Sequence, residues 1–117
     1  MLISGERKGP YLVLTVQRAR IDAEMTDAFK AEALDHLACD QGDCLLDLNK
    51  VGFMDSSGIG ALVGLLKLVG GERNLVLCGL SPAVAATLRL ARLDRVFSTM
   101  PSVADAVRRI QHGPATA

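Results

Sequence analysis

The segment CLLDLN, from Cys44 to Asn49, is short and almost continuously apolar, and a longer apolar segment, Ile59 to Val69, follows it closely. A short run of this kind is typical of a strand buried on both faces, as in parallel sheets covered by helices. The longer segment is long enough to form a helix. The pattern predicts a strand, a loop and a helix from about residue 56 to 69, and NLVLCG followed by AVAATLRLAR repeats it.

The segments on either side complete the predicted architecture. LISGERKGPYLVLTV predicts an opening hairpin, and a surface helix follows with Asp22 as its expected N-cap. The buried stripes expected on these elements are Leu12, Leu14 and Val16 on the strand, and Met25, Phe29, Ala33 and Leu37 on the helix. Ser81 and Pro82 form a helix start, and LDRVFST is expected to be the last strand. Ser102 and Asp105 resemble a capping box that opens a last helix, with Val103, Val107 and Ile110 on one face.

Strands that alternate with helices pair in parallel through right-handed crossovers. We therefore predict a single-domain α/β fold: a mixed, mostly parallel sheet with an N-terminal antiparallel edge hairpin and about four helices. The domain is expected to span residues 1–112, and residues 113–117 to form a flexible C-terminal tail.

Composition argues against several classes of function. Thirteen basic residues balance thirteen acidic ones, which argues against direct nucleic-acid binding. The longest apolar run falls short of the roughly 20 residues of a membrane span and contains Lys67. Cys39, Cys44 and Cys78 are odd in number and lack metal-site spacing, so reduced thiols and a cytoplasmic location are expected.

The candidate site is Asp55-Ser56-Ser57-Gly58, between a predicted strand and a predicted helix. In the simplest interpretation Asp55 or Ser56 caps the helix, which stabilises it by about 1 kcal/mol. Capping needs only one of these side chains, however. Ser57 falls in the first helical turn, where an exposed hydroxyl beside the positive end of the helix dipole is suited to carry a phosphate.

Two catalytic alternatives fit the residues less well. Gly58, Gly60 and Gly64 loosely resemble a dinucleotide fingerprint, but the acidic residue expected after the next strand is missing. Close packing of the helix on its sheet explains the glycines more simply. A serine hydrolase built on Ser56 lacks the glycine that precedes a nucleophile elbow. Its base would have to be His36, on the charged face of the first predicted helix, or His112, in the predicted tail, and neither is positioned by a scaffold. We expect no enzymatic activity, no catalytic residue, no metal and no cofactor.

The predicted helix is apolar almost all round. Ile59, Leu62, Leu66 and Val69 mark one face, while Val63, Leu65 and Leu68 continue around it. The helix is either buried between neighbours or uses part of this surface, beside Ser57, to contact a partner.

Around LNKVGFMDSSGIGALVGLLK the chain closely resembles the STAS domain, specifically bacterial anti-sigma factor antagonists. YLVLTVQRARIDAEMTDAF and LSPAVAATLRLARLDRVFSTMPSVADAV extend the resemblance over nearly the whole chain. Two departures concern structural positions: Ala91-Arg92 replaces a glycine that often closes the third helix, and Ala19 replaces another before the Ile-Asp pair.

The resemblance implies a phosphorylation-controlled partner switch. It predicts binding of an anti-sigma factor that is also a serine kinase, release of a sigma factor, phosphorylation at Ser57, with Ser56 as the alternative, and resetting by a phosphoserine phosphatase. It points to Asp55, Ser56, Ser57 and Gly58 as partner-binding residues. The apolar helix surface around Ser57 adds Ile59, Leu62 and Val63, positions expected to include partner contacts as well as core. The alternative function is a STAS scaffold or accessory subunit of a stress-signalling or lipid-transport complex.

Overall fold

The structure, a computed structural model, describes residues 1–69 and 73–111. The strands are β1 (Ile3–Lys8), β2 (Tyr11–Val16), β3 (Arg20–Ile21), β4 (Asp43–Asp47), β5 (Phe53–Met54), β6 (Leu75–Cys78) and β7 (Ser98–Met100). The helices are α1 (Thr26–Cys39), α2 (Ser56–Val69), α3 (Pro82–Leu90) and α4 (Val103–Gln111). The tail predicted at 113–117 lies outside the described residues.

Five of the strands form one sheet in the order β1-β2-β4-β6-β7. β1 and β2 are antiparallel, and the remaining neighbours are parallel. This confirms the predicted α/β fold with a mixed sheet and an antiparallel edge hairpin. β3 and β5 pair in parallel as a separate two-stranded ribbon, which the sequence did not reveal because each strand has only two residues.

The two faces of the main sheet are covered unequally. The larger core cluster joins the predicted β2 stripe to α1, α2 and α3, for example through Leu14, Phe29, Leu62 and Leu88. A smaller cluster on the other face contains Tyr11, Val13, Leu45 and Cys78, and is packed under Ala106 of α4. Alternate β2 residues therefore serve different cores, as the period of a strand requires.

The start of α1 corrects one sequence prediction. Asp22 does not cap the helix: its Oδ1 accepts the Glu24 amide at 3.1 Å, and its carbonyl accepts the Met25 amide, also at 3.1 Å. The chain completes this turn before the helix begins at Thr26, and Met25 occupies the N-cap position without a side-chain cap bond. The buried stripe of α1 is confirmed at Phe29, and also at Ala33 and Leu37.

The end of α3 shows how the chain manages without a glycine. Arg92 adopts a left-handed backbone with φ of 60°. Its amide donates to the Arg89 carbonyl, and the Leu93 amide donates to the Leu88 carbonyl, each at 2.9 Å, which is the Schellman arrangement. A turn then occupies 93–97, so the predicted strand over LDRVFST starts only at Ser98.

The caps of the last two helices are confirmed. Ser81 Oγ accepts the Val84 amide at 3.2 Å, and Ser102 Oγ accepts the Asp105 amide at 3.0 Å. The Asp105 carboxylate pairs with Arg108. Val103 and Val107 pack against the smaller core cluster, and the side chain of Ile110 lies outside the described residues.

Candidate functional site

Asp55 caps α2. Its Oδ1 accepts the Gly58 amide at 3.0 Å, and its carbonyl accepts the Ile59 amide at 3.0 Å. A side-chain acceptor for an early amide is what the start of a helix needs, because the first amides have no intrahelical partner. Of the two residues considered as caps, the structure selects Asp55 and leaves Ser56 as the first residue of the helix.

The second carboxylate oxygen of Asp55 reaches a different segment. Oδ2 accepts the Ala23 amide at 3.3 Å, and the Asp55 amide donates to the Ile21 carbonyl at 3.3 Å. Asp55 therefore joins the start of α2 to the loop that precedes α1. The position of the two serines is fixed relative to both helices.

Ser56 and Ser57 are both exposed. Within the described residues, neither hydroxyl makes a hydrogen bond to another protein group. Because Asp55 already caps the helix, the two hydroxyls have no structural task at this end of α2. A phosphate on either would lie in the first turn, beside amides without intrahelical acceptors and at the positive end of the dipole.

Gly58 allows α2 to approach the β3–β5 ribbon closely. A Cβ atom at this position would lie 2.5 Å from Met54 Cγ and 2.6 Å from the Ile21 carbonyl oxygen. The other two glycines of the helix do not share this role, which corrects the prediction for them. A Cβ on Gly60 would have no neighbour within 4 Å, and one on Gly64 would face the end of the Lys30 side chain at 3.3 Å.

Burial divides the residues predicted to contact a partner. Leu62 has no exposed surface, and Ile59 is only 9% exposed. Both belong to the core cluster that α2 shares with the sheet, so partner contact at these positions conflicts with their burial. Val63 is half-buried. The exposed face of α2 is formed by Ser56, Ser57, Gly60, Lys67 and Leu68.

An exposed aromatic residue, which sequence reasoning placed in a loop and passed over, lies beside the site. Phe53 of β5 is 40% exposed. The guanidinium carbon of Arg20 lies 4.2 Å from the centre of its ring, a cation–π geometry. A single aromatic residue in a predicted loop shows no periodicity. Its contact with Arg20 forms only when β3 and β5 pair.

Of the two histidines considered as a base, His36 lies apart from the serines, and His112 lies outside the described residues. His36 lies in the last turn of α1 and packs against Gly5 of edge strand β1. Ser56 follows Asp55, which bonds the loop before α1, so the length of α1 separates Ser56 from His36. Burial raises the pKa of the Cys44 thiol and that of the Cys78 thiol to about 12, so both are neutral at ordinary pH.

Metal-binding and membrane-spanning features can be judged over residues 1–69 and 73–111. In these ranges, no three His, Cys, Asp or Glu side chains are grouped as metal ligands. Nor does any helix there have the length and hydropathy needed to cross a bilayer.

Comparison with known proteins agrees with this architecture. The STAS domain family matches residues 3–106. The chain therefore belongs to the STAS domain family.

Solved structures share the fold over nearly the whole chain. An anti-sigma-factor antagonist (STAS) domain protein from Planctomyces limnophilus is 21% identical, with a TM-score of 0.83 over 93% of this chain and 97% of its own. An anti-sigma factor antagonist from Mycobacterium paratuberculosis is 23% identical, with a TM-score of 0.82 over 93% and 92% of the two chains. A murine anion transporter, solute carrier 26 family member A9, is 18% identical, with a TM-score of 0.79 over 92% of this chain but 18% of the transporter. At these identities the likeness shows a common fold.

Proposed function

We propose that this protein is an anti-sigma factor antagonist controlled by phosphorylation. In its unphosphorylated form it binds an anti-sigma factor that is also a serine kinase, and so releases a sigma factor. The observation that carries the proposal is the exposed Ser57 hydroxyl in the first turn of a helix that Asp55 already caps. The names of two structural neighbours, both anti-sigma factor antagonists, support it.

The proposed switch acts on the interface and leaves the fold intact. A phosphate adds roughly 1.5 to 2 negative charges, which the free amides and dipole of the α2 N-terminus accommodate. In the complex, the same dianion would replace a small neutral hydroxyl at a contact that excludes water. Desolvation and like-charge repulsion there cost several kcal/mol, and a loss of about 4 kcal/mol is already a thousandfold in affinity.

The role defines the remaining partners. Removal of the phosphate requires a separate phosphoserine phosphatase. The kinase and the phosphatase both imply that the protein acts in the cytoplasm. The protein itself needs no cofactor and no catalytic residue, because the chemistry of phosphate transfer belongs to the kinase.

The decisive experiment captures partners from the native lysate with and without ATP, identifies them by mass spectrometry and maps phosphoserine. The captured kinase is then purified and its affinity measured for wild type, Ser57→Ala and Ser57→Asp, with Ser56 substituted in parallel. Ser98, an exposed serine on β7, provides the matched control as Ser98→Asp. We expect Ser57→Ala to bind without being phosphorylated, and Ser57→Asp to bind poorly with a native circular dichroism spectrum.

Each outcome has a distinct meaning. Phosphate found on Ser56 alone moves the acceptor by one residue and leaves the switch intact. Tight binding by Ser57→Asp would contradict the electrostatic mechanism. Capture of transporter or stress-complex subunits, with no kinase among them, would favour the scaffold or accessory role.

A further inference from the structure

The β3–β5 ribbon and the N-terminus of α2 form one continuous unit. The amides of Gly52 and Phe53 both donate to the Ala19 carbonyl, at 2.8 and 3.2 Å. The ribbon then leads through Met54 directly into Asp55, the cap of α2. A group on the ribbon is therefore held at a fixed position relative to Ser57.

The ribbon presents an aromatic side chain that the hydrophobic core does not use. Phe53 belongs to neither core cluster, although its neighbour Met54 is buried in the larger one. Its ring is held under the Arg20 guanidinium, whose Nε lies 3.7 Å from Asp22 Oδ2. Aromatic and arginine side chains dominate the binding energy of protein interfaces, and a pair already held in place loses little conformational entropy on binding.

Basic side chains lie on the two segments that lead into the ribbon, which the Ala19 carbonyl joins. Arg18 donates to the Gln17 carbonyl at 3.0 Å, and Lys50 donates to the Gln17 side-chain oxygen at 2.5 Å. Both are exposed, as is Arg20. Carboxylates lie here too: Asp22 accepts the Glu24 amide and pairs with Arg20, and Asp55 accepts two amides. The ribbon and the two segments before it therefore present an exposed aromatic ring and three exposed basic side chains.

We propose that this surface, Phe53 with Arg18, Arg20 and Lys50, is a second contact for the partner kinase and binds a carboxylate-bearing surface on it. The inference rests on the proposed function and extends it by giving the chemistry of the partner. Charge complementarity selects an acidic partner surface, and continuity with Ser57 places that surface opposite the phosphorylation site. A phosphate on Ser57 would then face carboxylates of the partner, which supplies the repulsion that breaks the complex.

The test measures the affinity of the purified kinase for Phe53→Ala and for the double variant Arg18→Glu/Lys50→Glu. Leu90→Ala is the apolar control, because Leu90 is 86% exposed and is the last residue of α3, outside the ribbon. Lys8→Glu, at the β1–β2 turn, is the charge control. Affinities are compared from roughly 50 to 500 mM salt, where exposed charge interactions are progressively screened.

We expect Phe53→Ala to raise Kd at least about tenfold. The double charge variant is expected to weaken binding, and its affinity should no longer fall as salt is raised, because salt screens the new repulsion; both controls should stay within about twofold of wild type. Thermal unfolding separates a lost contact from a lost fold. If Phe53→Ala unfolds, the double charge variant decides alone.

Wild-type affinity in both ribbon variants, together with loss of binding in Ser57→Asp, would refute the second contact and leave the switch standing. Failure to capture any kinase would refute the proposed function, and the inference with it.

Discussion

Replacement of Gly58 by alanine tests the packing that positions the phosphorylation site. The added Cβ would lie 2.5 Å from Met54 Cγ and 2.6 Å from the Ile21 carbonyl oxygen, whereas non-bonded carbon atoms prefer about 3.5 to 4.0 Å. Met54 is only 3% exposed and has little room to move, and the Ile21 carbonyl is backbone. The first turn of α2 must therefore shift away from the ribbon, which strains the bond between the Asp55 amide and the Ile21 carbonyl.

The magnitude follows from opposing terms. Overpacking of a filled site costs about 1 to 3 kcal/mol, and a weakened hydrogen bond about 1 kcal/mol. The higher helix propensity of alanine returns up to about 1 kcal/mol. We expect Gly58→Ala to destabilise the protein by about 2 kcal/mol.

Gly60→Ala makes the same chemical change two positions along the same helix. A Cβ there meets no atom within 4 Å, so the propensity gain of about 0.5 to 1 kcal/mol should appear as added stability. The two variants should differ by about 3 kcal/mol, or about 12 °C in Tm for a domain of this size. Urea unfolding followed by circular dichroism measures the difference directly. Equal stability of the two variants would refute the close approach of α2 to the ribbon.

Three further predictions concern other parts of the molecule. Arg92→Gly should raise Tm by a few degrees, since relief of roughly 1 to 2 kcal/mol of left-handed strain is only partly offset by the greater chain entropy of glycine; an unchanged or lower Tm contradicts this. Native protein should react with a thiol reagent at the exposed Cys39 alone. The pKa values of Cys44 and Cys78 are about 12 in the folded protein and about 9.0 in the unfolded chain, so unfolding between these pH values releases protons. The free energy of unfolding should therefore fall as pH rises above 9. Reaction of all three thiols in the native protein, or a free energy of unfolding that does not change over this pH range, would show that Cys44 and Cys78 are accessible. Purified protein should hydrolyse neither esters nor nucleotides, and turnover abolished by Ser56→Ala would overturn this.

Sequence periodicity predicted those parts of the fold that local patterns determine. The bounds predicted for α2, residues 56 to 69, are confirmed, and so are the hairpin and the caps at Ser81 and Ser102. Each of these features depends on residues near one another in the chain. The N-cap prediction for Asp22 was wrong, because an aspartate that is suited to cap a helix can equally well stabilise a local turn.

The candidate site was predictable only in outline. Asp55, Ser56 and Ser57 are recognisable in the sequence as a polar group before an apolar helix. The role of Asp55, however, depends on contacts with Ile21 and Ala23, which are distant in sequence. Ile59 and Leu62 could not be separated from partner-facing positions, because α2 is apolar nearly all round and only the placement of the sheet defines its buried side. The pairing of Arg20 with Phe53 likewise exists only in three dimensions.

The ribbon also limits how this domain can diverge. Ala19 accepts hydrogen bonds from both Gly52 and Phe53, so the loops after β2 and β4 are locked in register with each other. An insertion in either loop would misalign the other and move Asp55 away from Ile21 and Ala23. Duplicated copies of the gene would therefore acquire new partners by exchanging side chains on the outer surface of the ribbon and of α2, while the lengths of both loops stayed constant. Insertions between paralogues should instead accumulate in the loops at the other end of the sheet, where the parallel strands begin.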